Sequence, residues 1–315
     1  MNNKLLYLIF LLLFPSCVEH IFLIKIEPNG SFNINYSANG DLKDLQNDDF
    51  SLPNSVDWKI EHQIQKKNDN YFFSSHKNFN LNDKIPDSFN TNDSIPYSSL
   101  LKHPININKT NYIFFELFTF KCSFENRQVS KKYPKLQKWL LNTEDDPEGI
   151  VKEILKYIFT QTINDANLDF NIYPIVNNEF NNWIISNVNN IEDSIIFNNF
   201  DQYIIDGKKV IESNIMHNKT NLDSIIHIYK KEAEITINLI DDDFKFSLNI
   251  PNQIFSDNSD KVLNDILIWE FGLEEYLDKN KVLYAYSYRI IYLNILIFLF
   301  LIIFILIYKK IVLID

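Results

Sequence analysis

Five glycines in 315 residues leave little room for phosphate chemistry. Gly30, Gly40, Gly149, Gly207 and Gly272 lie too far apart to assemble G-x-G-x-x-G, a Walker loop or a G-x-S-x-G elbow. Three of them simply follow Asn or Asp, as turn glycines do. Cysteine is scarcer: Cys17 and Cys122 are all there is, which excludes a disulfide framework. His20, His62, His76, His103, His217 and His227 share no ligand spacing, and no H-E-x-x-H occurs. Positive charge is also short. Lys and Arg total 30 against 41 Asp and Glu, and the resulting −11 argues against nucleic acid, whose phosphates demand clustered cations. These absences predict no catalytic residue, no cofactor and no metal centre. Acidic clusters at 144–146, 241–243 and 274–275 hold enough carboxylates for acid–base work or calcium. The first reads better as a helix N-terminus and the other two as turns beside strands.

Aromatic residues are abundant. With 26 Phe and 16 Tyr in a chain that is 46% hydrophobic, a packed core is expected, not a disordered stalk. The run 290–308 carries no charge and is about as long as a helix needs to be to cross a bilayer. Asn294 is its one clearly polar side chain. Tyr292 and Tyr308 sit at its edges and Lys309 and Lys310 follow, as at a membrane boundary. A single transmembrane helix over 290–308 and a cytoplasmic tail over 309–315 are expected.

The other end has the layout of a secretory signal over 1–16: Lys4, an apolar stretch over 5–14, then Pro15-Ser16. Export of residues 17–288 follows. Phe14-Pro15-Ser16-Cys17 resembles the lipobox of bacterial lipoproteins, and that resemblance implies an acylated Cys17. The other reading is an ordinary signal peptide with an incidental cysteine, which leaves a Cys17–Cys122 bridge open. Two membrane anchors would hold the N-terminus of the domain against the bilayer.

Within the exported part, period-2 alternation marks strands at 21–26 and 31–36 around a Pro28-Asn29-Gly30 turn, with Asn39-Gly40 as a second turn. Further strands are expected near 58–64 and 71–75, forming an antiparallel meander, and after a long polar loop over 80–110 an aromatic strand follows at 111–124. Cys122 is expected to pack there as a small hydrophobe. The period then changes. Pro134 opens a short helix, Asp146 caps another that carries Ile150, Ile154 and Ile158 on one stripe, and a third spans about 178–198. Strands are expected again at 203–212 as a hairpin around Asp206-Gly207, then at 225–229, 234–239, 244–250, 266–271 and 282–288. The fold class is therefore α+β: an antiparallel β-sandwich-like exported domain with a helical insertion at about 130–200, followed by the transmembrane helix.

The opening Ile24-Lys25-Ile26-Glu27-Pro28-Asn29-Gly30-Ser31 and the later Leu248-Asn249-Ile250-Pro251-Asn252, Asp257-Asn258-Ser259-Asp260 and Leu267-Ile268-Trp269-Glu270-Phe271 carry a resemblance. In this order they resemble bacterial envelope lipoproteins of the LppM-like type, with a C-terminal membrane helix. The resemblance implies an extracytoplasmic β-rich domain, and its motifs are turn and core signatures, not catalytic ones.

Arg127, Lys131, Lys132, Lys135 and Lys138, with Tyr133 and Trp139 interleaved, form a basic cluster in an acidic chain. Contact with anionic lipid headgroups would give roughly 1 kcal/mol per cation. The alternative is a solvated helix face opposite Leu136 and Leu140. The expected function is that of a membrane-anchored, extracytoplasmic envelope protein with a structural or binding role and no enzymatic one. An envelope hydrolase without a recognisable motif is one alternative. A eukaryotic type I glycoprotein is the other, with sequons at Asn29, Asn35, Asn92, Asn108 and Asn218.

Overall fold

The structure is a computed structural model that describes residues 18–46, 49–67, 70–81, 83–127, 133–141, 149–215 and 221–312. The signal segment, Cys17, Lys131, Lys132, Asp146 and Asn218 lie outside the described residues. The strands are β1 (Glu19–Ile26), β2 (Phe32–Gly40), β3 (Lys59–Lys67), β4 (Asn70–Phe79), β5 (Ile105–Asn111), β6 (Phe115–Phe124), β7 (Asp243–Asn249), β8 (Gln253–Asp257), β9 (Lys261–Leu263), β10 (Ile266–Phe271) and β11 (Lys281–Ile290). One sheet has the order β3-β4-β2-β1-β7-β10-β9 and the other β5-β6-β11-β8.

Alternation drives both. Phe22, Ile24 and Ile26 on β1 and Phe32, Ile34, Tyr36 and Ala38 on β2 all turn to one buried face. Gly30 takes the left-handed conformation (φ +92°) that closes the hairpin between them. On β6, Phe118, Phe120, Cys122 and Phe124 point inward, and the free Cys122 thiol is fully buried. The sheets meet face to face: the Phe124 ring lies 5.0 Å from those of Phe244 and Phe271, and Phe120 lies 5.8 Å from Trp269. Trp58 and Trp269 join the same core, as large aromatics at alternating positions should. Between β2 and β4 the meander expectation needs correction, because β4 and not β3 pairs with β2, leaving β3 at the edge.

Helices fill the chain between β6 and β7: α1 (Pro134–Leu140), α2 (Ile150–Asp165), α3 (Tyr173–Asn187), α4 (Asp193–Asn198), α5 (Phe200–Ser213) and α6 (Leu222–Asn238). The block runs to residue 238, not to about 200. The expected hairpin at 203–212 is α5, the expected strands at 225–229 and 234–239 are α6, and the helix expected over 178–198 is split into α3 and α4. Burial explains α6, since Leu222, Ile226, Ala233 and Thr236 recur at helical spacing on its inner side. On α2, Ile150 and Ile158 are buried and Ile154 half-buried, as their stripe predicts. Last comes α7 (Tyr292–Val312), separated from β11 by Ile291 alone.

The sandwich has two distinct ends. Phe115 stands opposite Ile290 and Phe124 opposite Lys281, so β6 and β11 carry the chain about 30 Å from the α7 end to the helical-block end. Ser287 Oγ donates to the Pro251 carbonyl at 2.6 Å, which puts the end of β7 near α7. β1 runs parallel to β7 with Glu19 opposite Asp243 and Lys25 opposite Asn249. Val18 is therefore at the end away from α7, buried, its carbonyl accepting from Asp243 N–H at 2.9 Å. The expected acylation of Cys17 lies outside the described residues.

Candidate functional site

The chain's most distinctive surface lies where the small sheet meets α7. Among the described residues α7 is the one helix long and apolar enough to cross a membrane, and nothing in its 292–309 window is buried against the domain. The tip of the β5–β6 hairpin packs against its start. Ile291 N–H donates to the Phe114 carbonyl at 2.8 Å, Asn294 Nδ2 donates to the Ile113 carbonyl at 2.6 Å, and the Phe114 and Phe298 rings meet edge-on with centroids 5.3 Å apart. The polar residue of the apolar run thus has a defined partner 181 positions earlier. Phe114, expected in the β core with its strand, belongs to this junction.

Immediately behind the tip sits a compact ionic group. Glu116, nearly buried, receives Lys109 Nζ at 3.0 Å on one carboxylate oxygen and Arg289 Nη2 at 2.5 Å on the other. Further along the outer face of the small sheet, Tyr284, Tyr286 and Tyr288 alternate on β11, and Phe255 of β8 lies 5.9 Å from both Tyr286 and Tyr288. Asn258 ties this sheet to the other: its Oδ1 accepts from Trp269 Nε1 at 3.1 Å and from Tyr284 N–H at 2.8 Å, and its Nδ2 donates to the Val282 carbonyl. That is the role of the Asp257–Asp260 motif.

His20 has its carboxyl partner 222 positions away, beyond any local spacing in the sequence. His20 Nε2 is hydrogen-bonded to Asp242 Oδ2 at 3.3 Å, and its Nδ1 to the Tyr36 hydroxyl at 2.7 Å. All three are buried, as is Asp49 nearby. Desolvation lowers the His20 pKa to about 3 and raises Asp242 well above the ordinary range; it raises Asp49 too, with the Asp242 charge adding. A neutral imidazole bonded to a carboxyl that resists ionisation is a structural pair. No group of three or more His, Cys, Asp and Glu that could hold a metal exists among the described residues.

Of the basic cluster, Arg127 is corrected outright as a headgroup contact: it is 3% exposed and faces the protein interior. Its Nε donates to Thr236 Oγ1 at 3.0 Å, and Nη2 to the carbonyls of Ser99 and Glu232 at 2.9 and 3.2 Å. Lys135 is half-buried and Lys138 exposed on α1, whose Leu136 and Leu140 are buried. Arg127 follows the end of β6 that lies about 30 Å along the strand from its α7 end. Of the described sequons, Asn29, Asn92 and Asn108 are exposed and Asn35 is half-buried.

No protein-family model matches the chain, and no curated protein matches it. Among solved structures it is similar to the NMR structure of the folded domain of LppM from Mycobacterium tuberculosis, at 10% identity and a TM-score of 0.32, over 87% of this chain and 90% of that one. A TM-score that low does not establish a shared fold.

Proposed function

We propose that the protein is anchored in a membrane by α7 and displays its β-sandwich and helical block on the extracytoplasmic side, with a structural or binding role in the cell envelope and no enzymatic one. The observation that carries this is α7 itself: 21 residues of mean hydropathy 2.5 over its best window, unburied, leaving the domain directly from a core strand. The signal-like segment at 1–16 supports export. The enclosure of the His20–Asp242 pair supports the non-enzymatic part, since an acid–base pair must reach a substrate proton.

Alkaline extraction of the full chain, the 290–315 truncation, Cys17→Ser and the double variant tests this. The full chain should stay in the membrane fraction, and the double variant should release a folded domain where truncation alone leaves it held through an acylated Cys17. N-terminal mass spectrometry reads any acyl group at Cys17. Release only from the double variant would establish two anchors. Extraction of the full chain by alkali without detergent would overturn the proposal.

A further inference from the structure

A hairpin tip usually carries Gly, Asn or Asp, because turns face water and need unusual backbone angles. This one reads Tyr112-Ile113-Phe114-Phe115, closed by Tyr112 N–H donating to the Phe115 carbonyl at 2.8 Å. Ile113 is 73% exposed, Tyr112 and Phe115 are also exposed with their rings stacked 4.5 Å apart, and Ile290 and Tyr292 extend the patch onto the start of α7. In water such a tip would be a liability. Its backbone is dressed for a different solvent: the Ile113 and Phe114 carbonyls are both taken up by α7, through the Asn294 side chain and the Ile291 N–H. Non-helical backbone at membrane depth demands that kind of satisfaction. Phe114 touches Phe298, about 9 Å along the helix from Tyr292, so the tip lies beside the first two turns of α7. One layer behind it, Lys109, Glu116 and Arg289 supply the charged boundary that belongs at headgroup level.

Resting on the reading of α7 as a span, we propose that residues 112–115 are a second membrane contact, a wedge inserted into the lipid interface beside α7 that fixes the orientation of the domain. The partner is the bilayer surface itself. The hairpin acts as a strut, since its hydrogen bonds to Ile291 and Asn294 prevent the domain from swinging freely about the single residue between β11 and α7.

The test uses the full chain with Cys17→Ser, reconstituted in phosphatidylcholine–phosphatidylglycerol vesicles and spin-labelled at one site at a time: Ile113→Cys, Phe300→Cys within α7, and Phe170→Cys on the exposed helical block. Cys122 is fully buried in the core and so shielded from label. Collision with oxygen relative to a water-soluble nickel complex should be high at positions 113 and 300 and low at 170. If position 113 matches position 170 while 300 remains oxygen-dominated, the wedge is refuted and the span stands. If position 300 also behaves as aqueous, the span is refuted and the wedge with it.

Discussion

Gly207 of α5 packs its bare Cα against the ring of Phe159 on α2: a Cβ at Gly207 would lie 2.5 Å from the ring's Cζ. Phe159 is itself fully buried and packed at a tilt against Phe180 of α3, 5.2 Å between centroids, so it has nowhere to retreat. Three helices therefore converge on the absence of one methyl group.

Gly207→Ala should consequently destabilise the protein. Alanine gains about 1 kcal/mol over glycine in an unobstructed helix, while overpacking a filled core costs roughly 1–3 kcal/mol, and the second effect should win here. Thermal unfolding in mild detergent reads the sign. Adding Phe159→Leu should restore much of the loss; a stabilised single variant would mean the α2–α5 contact is loose.

Trp269→Ala should cost about 3–5 kcal/mol, because it empties a fully buried site and strips a hydrogen bond from Asn258. Asn258→Ala keeps the core volume but removes the acceptor shared by Trp269 and Tyr284, and should cost about 1–3 kcal/mol. Denaturant titration in detergent distinguishes the two, and an unaffected Asn258 variant would show that the sheets need no polar bridge.

Arg127→Ala should cost roughly 3–5 kcal/mol, since it leaves Glu232 without its main opposing charge and takes a donor from the buried Ser99 and Glu232 carbonyls. Adding Glu232→Gln should recover part of that cost. Strict additivity in this double-mutant cycle would show the two side chains do not couple.

The pH dependence follows from two opposed sets of buried groups. His20 and His103, with pKa values lowered by burial from 6.5 to about 3 and about 4, stay neutral in the fold. As pH falls through 6.5, the unfolded chain gains protons there that the fold refuses, so stability is lost. Asp49 and Asp242 work in the other direction. Their raised pKa values let the fold keep protons that the unfolded carboxyls release above 3.8, so their contribution grows as pH falls. Asp242→Asn removes one compensating group. Stability of that variant between pH 6.5 and 4 should fall more steeply than in the parent, and parallel curves would mean that Asp242 titrates ordinarily.

Local pattern made much of the molecule legible from sequence. Strict alternation in 21–26, 31–36, 244–250 and 282–288 reads as half-buried strand, and the uncharged run 290–308 reads as an apolar helix. The amino-acid sequence by itself determined those strands, the first two helices, the aromatic β core and the apolar helix. It misled at 203–212 and 225–239, where β-branched residues and an Asp-Gly pair suggest strands and a turn. Intrinsic preferences of that kind amount to a fraction of a kcal/mol per residue and yield to the burial of Ile211, Ile226 and Ile235 at helical spacing. Only the tertiary structure could join His20 to Asp242, Asn294 to Ile113 and Asn258 to Trp269 and Tyr284, draw Arg127 out of a basic cluster into the core, and place Val18 at the end remote from α7. Each depends on which strands pair across tens to hundreds of residues, and that choice is made by the summed packing of two sheets, which no local stretch of sequence contains.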